Sequence, residues 1–167
     1  MPDEHSEHMA PAQITPRSGS DYLDVMSKAV FQSGISWRVI EAKWPSTQEA
    51  FRGFDVQRVA ALGAREIDAL AEDTRVIRNR KKLEAIAGNA ARILELEAEH
   101  GSFKQYLRSH GSFEETVKSL RRNFKFLGET GCYFFLWVVK EPVPPYEEWS
   151  ATHVQSPPRS TTRARRS

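Results

Sequence analysis

The sequence predicts an all-α fold, with a single compact helical domain at residues 20–150. Apolar residues recur there every three or four positions, which is the period of an amphipathic helix and not of a strand. Serine, proline and glycine residues interrupt this period at short intervals and mark helix ends. The chain has 167 residues and a hydrophobic content of 40%, which is enough for one core. We expect a disordered leader at residues 1–19 and a basic, disordered tail at residues 151–167.

Charge is unevenly distributed along the chain. Residues 151–167 contain four arginines and no acid, which leaves 20 Lys and Arg against 22 Asp and Glu in the remainder. Because the body then carries a net charge of −2, any surface that binds a polyanion must be local. The arginine tail is either a non-specific DNA contact or a solvated end, and we favour the solvated end.

Cysteine content and hydropathy exclude several classes of protein. Cys132 is the single cysteine, so neither a disulfide framework nor a cysteine-rich zinc site can form within the chain. His5 and His8 have no cysteine nearby and are expected to be solvated. No apolar run is long enough to cross a bilayer, and the N-terminal residues lack the apolar core of a signal peptide. We expect a cytoplasmic protein without a membrane partner.

The first two predicted helices flank a short turn. The first begins near Ser20 and ends before Gly34, which gives the backbone freedom to turn. Ser36 is the expected N-cap of the second helix, Trp37 lies just inside that helix, and Pro45 is expected to end it. The apolar positions that define these helices are Tyr22, Val25, Met26, Ala29 and Val30 in the first, and Trp37, Ile40 and Trp44 in the second.

Short helices continue the pattern after Pro45. Ser46 and Glu49 form a capping box, which predicts a third helix directly after the proline. The helical period then runs to Leu70, with a break near Gly63.

A predicted turn between two helices carries a basic cluster. Residues 72–82 read EDTRVIRNRKK, and a long helix follows as far as Gly101. Amide groups in a tight turn and at a helix N-terminus can point at a phosphate, while nearby cations neutralise its charge. A charged segment at a helix start is also commonly a solvated face, so this cluster alone leaves both interpretations open.

The C-terminal third is predicted to be helical as well. Ser102 and Ser112 are the expected N-caps of two further helices. Residues 123–140 are the most apolar part of the chain, and we interpret them as a buried helix from about Glu129, with Cys132 packed inside it. Residues 146–149 are expected to pack back onto the body.

Trp37 is the residue with the clearest candidate binding role. A ring at a helix start can lie at the mouth of a cleft, where it can hold a base that has left its stack. Packing in the core is the other interpretation, and for an unplaced tryptophan it is the commoner one.

Four blocks of sequence carry a resemblance to a known family. They are GISW at residues 34–37, F-x-x-FD at residues 51–55, VIRNRKKLEAIAGNA at residues 76–90, and FKFLG followed by CY at residues 124–133. Through these blocks the chain resembles the 3-methyladenine DNA glycosylase I family, which consists of helix-hairpin-helix repair enzymes. The resemblance runs from about residue 21 to residue 133.

The resemblance implies a base-excision repair enzyme that needs no cofactor. Such an enzyme flips an alkylated base out of double-stranded DNA and hydrolyses its N-glycosidic bond. Methylation makes the base cationic, so an electron-rich ring that stacks on it adds about 1–2 kcal/mol of cation–π energy. The resemblance also implies a monomer that acts on duplex DNA containing alkylated bases, in the nucleoid.

The resemblance assigns candidate residues to two sites. Trp37 matches the family's base-stacking tryptophan, and Gln32 matches a glutamine beside the pocket. With Ser36 and Tyr133 they form the expected substrate-binding set. The expected DNA-binding set is the hairpin, and it comprises Thr74, Arg75, Arg78, Asn79, Arg80 and Lys82.

The chain also departs from the family pattern at the pocket. The family reads its base with a glutamate eight residues before the pocket tryptophan, and Ala29 occupies that position here. No catalytic residue is therefore assigned. Asp24, Glu41 and Glu129 are other carboxylates, and the sequence places none of them in the pocket. The aromatic residues that the family supplies from before its first helix have no counterpart in this chain.

Two further departures concern metal and backbone. The family's zinc site, made of two cysteines and two histidines, cannot form with one cysteine, so we predict no metal. Arg75 replaces a hairpin glycine, so either the turn type differs or the arginine points toward phosphate.

The sequence leaves two alternatives to the enzyme open. One is a non-catalytic helix-hairpin-helix module that binds DNA or senses lesions. The other is an interaction domain that has kept only the helical core.

Overall fold

The computed structural model describes residues 12–32 and 34–153. Within those residues the fold is all-α, as predicted, with nine α-helices, a 3-10 turn at Arg52–Phe54 and no strand. The helices, numbered here in chain order, are α1 (Gly19–Gln32), α2 (Trp37–Ala50), α3 (Val56–Ala60), α4 (Ala64–Ala71), α5 (Arg80–His100), α6 (Phe103–Leu107), α7 (Phe113–Asn123), α8 (Glu129–Val138) and α9 (Tyr146–His153).

Helix α5 is the central element of the fold. Four other helices, α1, α3, α4 and α6, pack against it, and α8 packs against both α1 and α7. The predicted apolar face of α5 forms part of the core, since Leu83, Ile86, Ala90 and Ile93 are fully buried. The helix ends as predicted at Gly101, whose φ of +93° is in the region that favours glycine. The hydrophobic core therefore surrounds the long helix that follows the basic turn.

The predicted end of the second helix at Pro45 is wrong. Helix α2 continues through Pro45 to Ala50, although proline cannot donate a backbone hydrogen bond within a helix. The hydroxyl of Thr47 donates to the carbonyl of Lys43 at 2.8 Å. It therefore supplies a bond to the helix backbone close to the position where the proline cannot donate one.

Tertiary contacts also hold this part of α2 in place. Trp44, directly before the proline, is buried, stacks on Phe54 at a centroid distance of 5.4 Å and donates from Nε1 to Asp24. The predicted capping box at Ser46 and Glu49 is also wrong, because no helix starts there. The Ser46 hydroxyl instead donates to the carbonyl of Arg75 at 2.7 Å. Packing overrides the local preference for a helix break.

Several other predicted boundaries are confirmed. The side chains of Ser102 and Ser112 accept the amides of Gln105 and Glu115, both at 3.1 Å, and so cap α6 and α7. The apolar segment is a helix that starts at Glu129, as predicted.

The ends of the described chain pack against the body. Residues 1–11 of the predicted leader and residues 154–167 of the predicted tail lie outside the described residues. Residues 12–17 are extended, and the Ile14 amide donates to the carbonyl of Val138 at 2.8 Å. The segment at 146–149 returns to the body as expected, as the start of α9, with Trp149 stacked on Tyr133 at 4.5 Å. None of the described helices has the length and apolar character that a membrane span requires.

Candidate functional site

The turn between α1 and α2 has the predicted local structure. Gly34 has a φ of +86°, which a side chain would disfavour. The Ser36 hydroxyl accepts the amide of Val39 at 3.3 Å and caps α2. Trp37 is the first residue of α2. Ser36 therefore caps the helix that begins with Trp37, and it lines neither of the two cavities described below.

Trp37 lines a cavity of about 180 Å³, here called the Trp37 cavity. Helices α1 and α8 and the extended N-terminal segment form its other walls. A cavity of roughly 150 Å³ holds a benzene molecule, so this space is of the size that takes a small flat ring. Its apolar lining includes Ile14, Val25, Phe134, Phe135 and Val138. The N-terminal segment thus supplies aliphatic contacts where the resemblance implies aromatic ones.

The Trp37 ring is half-buried and not sealed in the core. It meets Phe134 edge to face at a centroid distance of 6.5 Å. Its Nε1 atom is buried without a hydrogen-bond partner among the described residues. A buried donor without a partner costs about 1–3 kcal/mol.

Three charged side chains also line the Trp37 cavity, namely Asp21, Asp24 and Lys28. Two of them have partners of opposite charge. Asp21 accepts from the Arg17 guanidinium at 3.0 Å, and this hydrogen bond holds the pKa of the carboxyl below its usual value. Lys28 donates to Glu41 at 3.1 Å, so Glu41 is paired with a lysine.

Asp24 differs from these because its hydrogen-bond donors are neutral. Its Oδ1 accepts from Trp44 Nε1 at 2.7 Å, and its Oδ2 accepts from Gln48 Nε2 at 2.8 Å. Of the three carboxylates considered from the sequence, Asp24 is the one that shares the cavity with Trp37.

Gln32 lies in a different place from Trp37. It lines an open groove of about 810 Å³, here called the Gln32 groove, together with Arg121, Arg122, Phe126 and Glu129. Glu129, the third carboxylate, pairs there with Arg121 at 3.4 Å. The structure therefore brings Trp37 and Gln32 to two adjoining cavities and not to one.

Ala29 lines both the Trp37 cavity and the Gln32 groove. It is buried in α1 opposite Gly131 of α8, where a Cβ would lie 3.7 Å from the Cβ of Ala29 and 3.2 Å from Cδ1 of Leu127. Two small residues thus allow α1 and α8 to approach closely at the position where the resemblance places a glutamate.

Tyr133 lines neither of these cavities. Its hydroxyl donates to the carbonyl of Pro144 at 2.7 Å, and its ring is buried against Trp149. Burial raises the pKa of this hydroxyl. The neighbouring Cys132 is fully buried, as the sequence predicts for a packing residue, and burial raises the pKa of its thiol to about 12.

The hairpin between α4 and α5 is fixed mainly by its own polar groups. Asn79 caps α5 by accepting the amide of Lys82 at 3.2 Å. The Arg75 guanidinium binds Asp73 at 2.8 Å, and the Arg75 carbonyl accepts the hydroxyl of Ser46. Arg75 is not among the described residues with positive φ. The turn type therefore differs from one that needs glycine, and the arginine side chain is bound to an acid.

The other predicted DNA-binding residues differ in exposure. Arg80 forms ion pairs with Asp68 and Glu84. Lys82 is buried, with its Nζ 5.9 Å from the centre of the Phe31 ring. Thr74 and Arg78 are exposed. The surface available to a phosphate is consequently smaller than the basic sequence indicates.

Comparison with known proteins decides the family. Residues 17–122 match the model of a family described as methyladenine glycosylase. The chain belongs to the methyladenine glycosylase family. The match confirms the resemblance seen in the sequence, and it includes Ala29, Trp37 and the hairpin.

Individual relatives agree with this assignment. A DNA-3-methyladenine glycosylase of Haemophilus influenzae is 35% identical over 126 residues, which are 63% of this chain and 68% of the relative. DNA-3-methyladenine glycosylase 1 of Escherichia coli is 30% identical over the same length, covering 63% and 67%. The structure of 3-methyladenine DNA glycosylase I from Staphylococcus aureus superposes with a TM-score of 0.70 at 26% identity, covering 83% of this chain and 85% of that one.

Proposed function

We propose that this member of the methyladenine glycosylase family is a base-excision repair enzyme. It hydrolyses the N-glycosidic bond of an alkylated base that has been flipped out of double-stranded DNA. The observation that carries the proposal is the Trp37 cavity, which sets an indole beside a space that takes a small flat ring. Family membership and the names of the relatives support the same reaction.

The hairpin holds the DNA backbone in this proposal. Amides of the turn and of the first turn of α5 face a phosphate, and the exposed Arg78 adds a positive charge. Because these contacts read no base, binding is independent of sequence. Flipping costs least at a damaged pair, since that pair is already weakened.

The reaction then depends on stacking of the base in the cavity and on the ease with which the cationic base leaves the sugar. Methylation of a ring nitrogen places a positive charge on the purine and weakens its bond to the sugar, so the base departs readily once water attacks the sugar carbon. The Trp37 ring stacks on the cationic base and favours its residence in the cavity. No general base is assigned among the chain's residues.

The test is base release from methylated duplex DNA by the purified protein. We expect free alkylated base and alkali-labile abasic sites from the unmodified chain. Trp37→Ala removes the stacking ring, which contributes about 1–2 kcal/mol, and should lower release about 5- to 30-fold, while Trp37→Phe keeps a ring and should retain part of the activity. Arg38→Ala, at the exposed next position, is the control and should change release less than about twofold.

Two results would contradict the proposal in different ways. If the unmodified chain releases no base from 3-methyladenine, 7-methylguanine or other alkylated substrates, the enzymatic function is wrong. If it binds duplex or abasic DNA in a salt-sensitive way without turnover, it is the non-catalytic lesion-sensing module. We also propose that the protein acts as a monomer in the nucleoid, which light scattering and fluorescence microscopy will check.

A further inference from the structure

One face of α1 presents its polar side chains to the Trp37 cavity. Asp21, Asp24 and Lys28 line the cavity with Val25 between them, and the spacing of three and four residues places all of them on the same side of a helix. The position that the resemblance assigns to a glutamate, Ala29, lies at the edge of this face. The face therefore lacks a carboxylate at position 29 and has carboxylates at Asp21 and Asp24 instead.

The charges on this face do not cancel. Asp21 is compensated by Arg17, and Lys28 is compensated by Glu41. Within the described part of the chain, the donors to Asp24 are the indole of Trp44 and the amide of Gln48, and neither carries a charge. The lining and its partners together hold one net negative charge, and that charge is on Asp24.

We propose that Asp24 is a specificity-determining residue that supplies the counter-charge for a cationic base in the Trp37 cavity. This inference rests on the proposed function and names the group that takes over from the glutamate missing at position 29. The two neutral donors hold the carboxylate in one orientation without neutralising it. They use two of its roughly four lone-pair sites and leave the others for the ligand.

The other carboxylates do not fit this role. Glu41 is bonded to Lys28, and Glu129 lies in the Gln32 groove with Arg121. Asp21 lines the cavity, and its two oxygens accept from Arg17. Asp24 therefore combines a place in the cavity with an uncompensated charge.

The test compares a cationic with a neutral purine as ligands of the full chain. The probes are 3,9-dimethyladeninium, which is positively charged at neutral pH, and 9-methyladenine, which is neutral. Binding is followed by quenching of tryptophan fluorescence and by calorimetry. We expect the unmodified chain to prefer the cation, and Asp24→Asn to weaken cation binding at least about tenfold, as expected for a close charge pair. Binding of the neutral purine should change less than about twofold.

Two further variants separate charge from folding. Asp21→Asn alters the other cavity aspartate, whose charge is already compensated, and should shift cation binding less than about threefold. Asp24→Glu keeps the charge and should keep the preference for the cation, which also covers the case in which Asp24→Asn fails to fold.

The outcomes distinguish this inference from the proposed function. Equal binding of both purines by the unmodified chain, or a cation preference that is undiminished in Asp24→Asn, overturns the role of Asp24. If base release is present in that case, the proposed function still stands. If the preference depends on Asp24 and no base is released from DNA, the role of Asp24 stands and the proposed function falls.

Discussion

At the level of single residues, Asp24 joins the candidate site to the core. Its carboxylate faces the Trp37 cavity and also accepts the hydrogen bond of the buried Trp44. A hydrogen bond to a charged group contributes about 1.5–3 kcal/mol. The same carboxylate is therefore both a structural acceptor and a candidate binding group.

Removing the Trp44 donor should destabilise the fold. Trp44→Phe keeps an aromatic ring stacked on Phe54 but loses the bond to Asp24, so we expect the free energy of unfolding to fall by about 1–3 kcal/mol. Urea denaturation measures this loss. Trp137→Phe, at a half-buried position on α8, is the control. Equal unfolding midpoints for the two variants would show that the Asp24 bond contributes little.

Sequence reasoning found part of this site. Trp37 could be predicted because a turn glycine, a capping serine and an indole in succession define a helix start. Asp24 could not be selected from three candidate carboxylates, because pairing partners such as Glu41 for Lys28 come from different helices. Tyr133 matches a family motif and packs against Trp149, since a motif does not reveal whether a side chain faces a cavity or a neighbouring ring.

At the level of elements, α2 connects the hairpin to the candidate pocket. Trp37 begins this helix, and Ser46 within it bonds the carbonyl of Arg75 in the hairpin. The sequence predicts the hairpin and α5 correctly, because their turn residues and apolar period are local. It fails at Pro45, because the contacts that keep α2 continuous come from Asp24, Phe54 and the hairpin, which are remote in sequence.

Reversing a charge on the hairpin should weaken DNA binding at every sequence. Arg78→Glu replaces an exposed cation, so we expect lower affinity for duplex DNA and a salt dependence reduced by about one phosphate contact. Lys104→Glu is the matched control, because Lys104 follows the far end of α5, about 30 Å along the helix axis from Asn79. Titrations of labelled DNA at several salt concentrations provide the comparison. Equal losses in both variants would indicate a general effect of net charge and would contradict a hairpin contact.

At the level of the whole molecule, the C-terminal helix supports the pocket through aromatic contacts. Trp149 stacks on Tyr133, Tyr133 meets Phe134 edge to face at 5.6 Å, and Phe134 meets Trp37. Trp149 and Tyr133, like Phe134 and Trp37, are remote from each other in sequence, so hydrophobic periodicity does not reveal these two contacts. The same holds for the extended N-terminal segment, which bonds α8 through the Ile14 amide and the Gln13 side chain and forms one wall of the cavity.

Truncating Trp149 should therefore affect both stability and the pocket. Trp149 is buried, and replacement of a buried tryptophan by alanine costs about 3–5 kcal/mol. We expect Trp149→Ala to lower the free energy of unfolding, measured by denaturant titration, by about 3–5 kcal/mol and to weaken binding of the cationic purine. Phe126→Ala is the control. It removes an aromatic ring that is 48% exposed and should lower the free energy of unfolding much less. A stable Trp149→Ala protein with unchanged purine binding would show that α9 does not support the site.

The attachment of the hairpin to α2 has a consequence for how a lesion is reached. One helix carries the indole at its first residue and, nine residues later and about 14 Å along its axis, bonds the turn that is proposed to bind the phosphate. A regular helix cannot stretch or shorten to suit different substrates. In the proposed function, the distance between the base pocket and the phosphate site is therefore fixed, so the DNA must distort to bring one nucleotide into both.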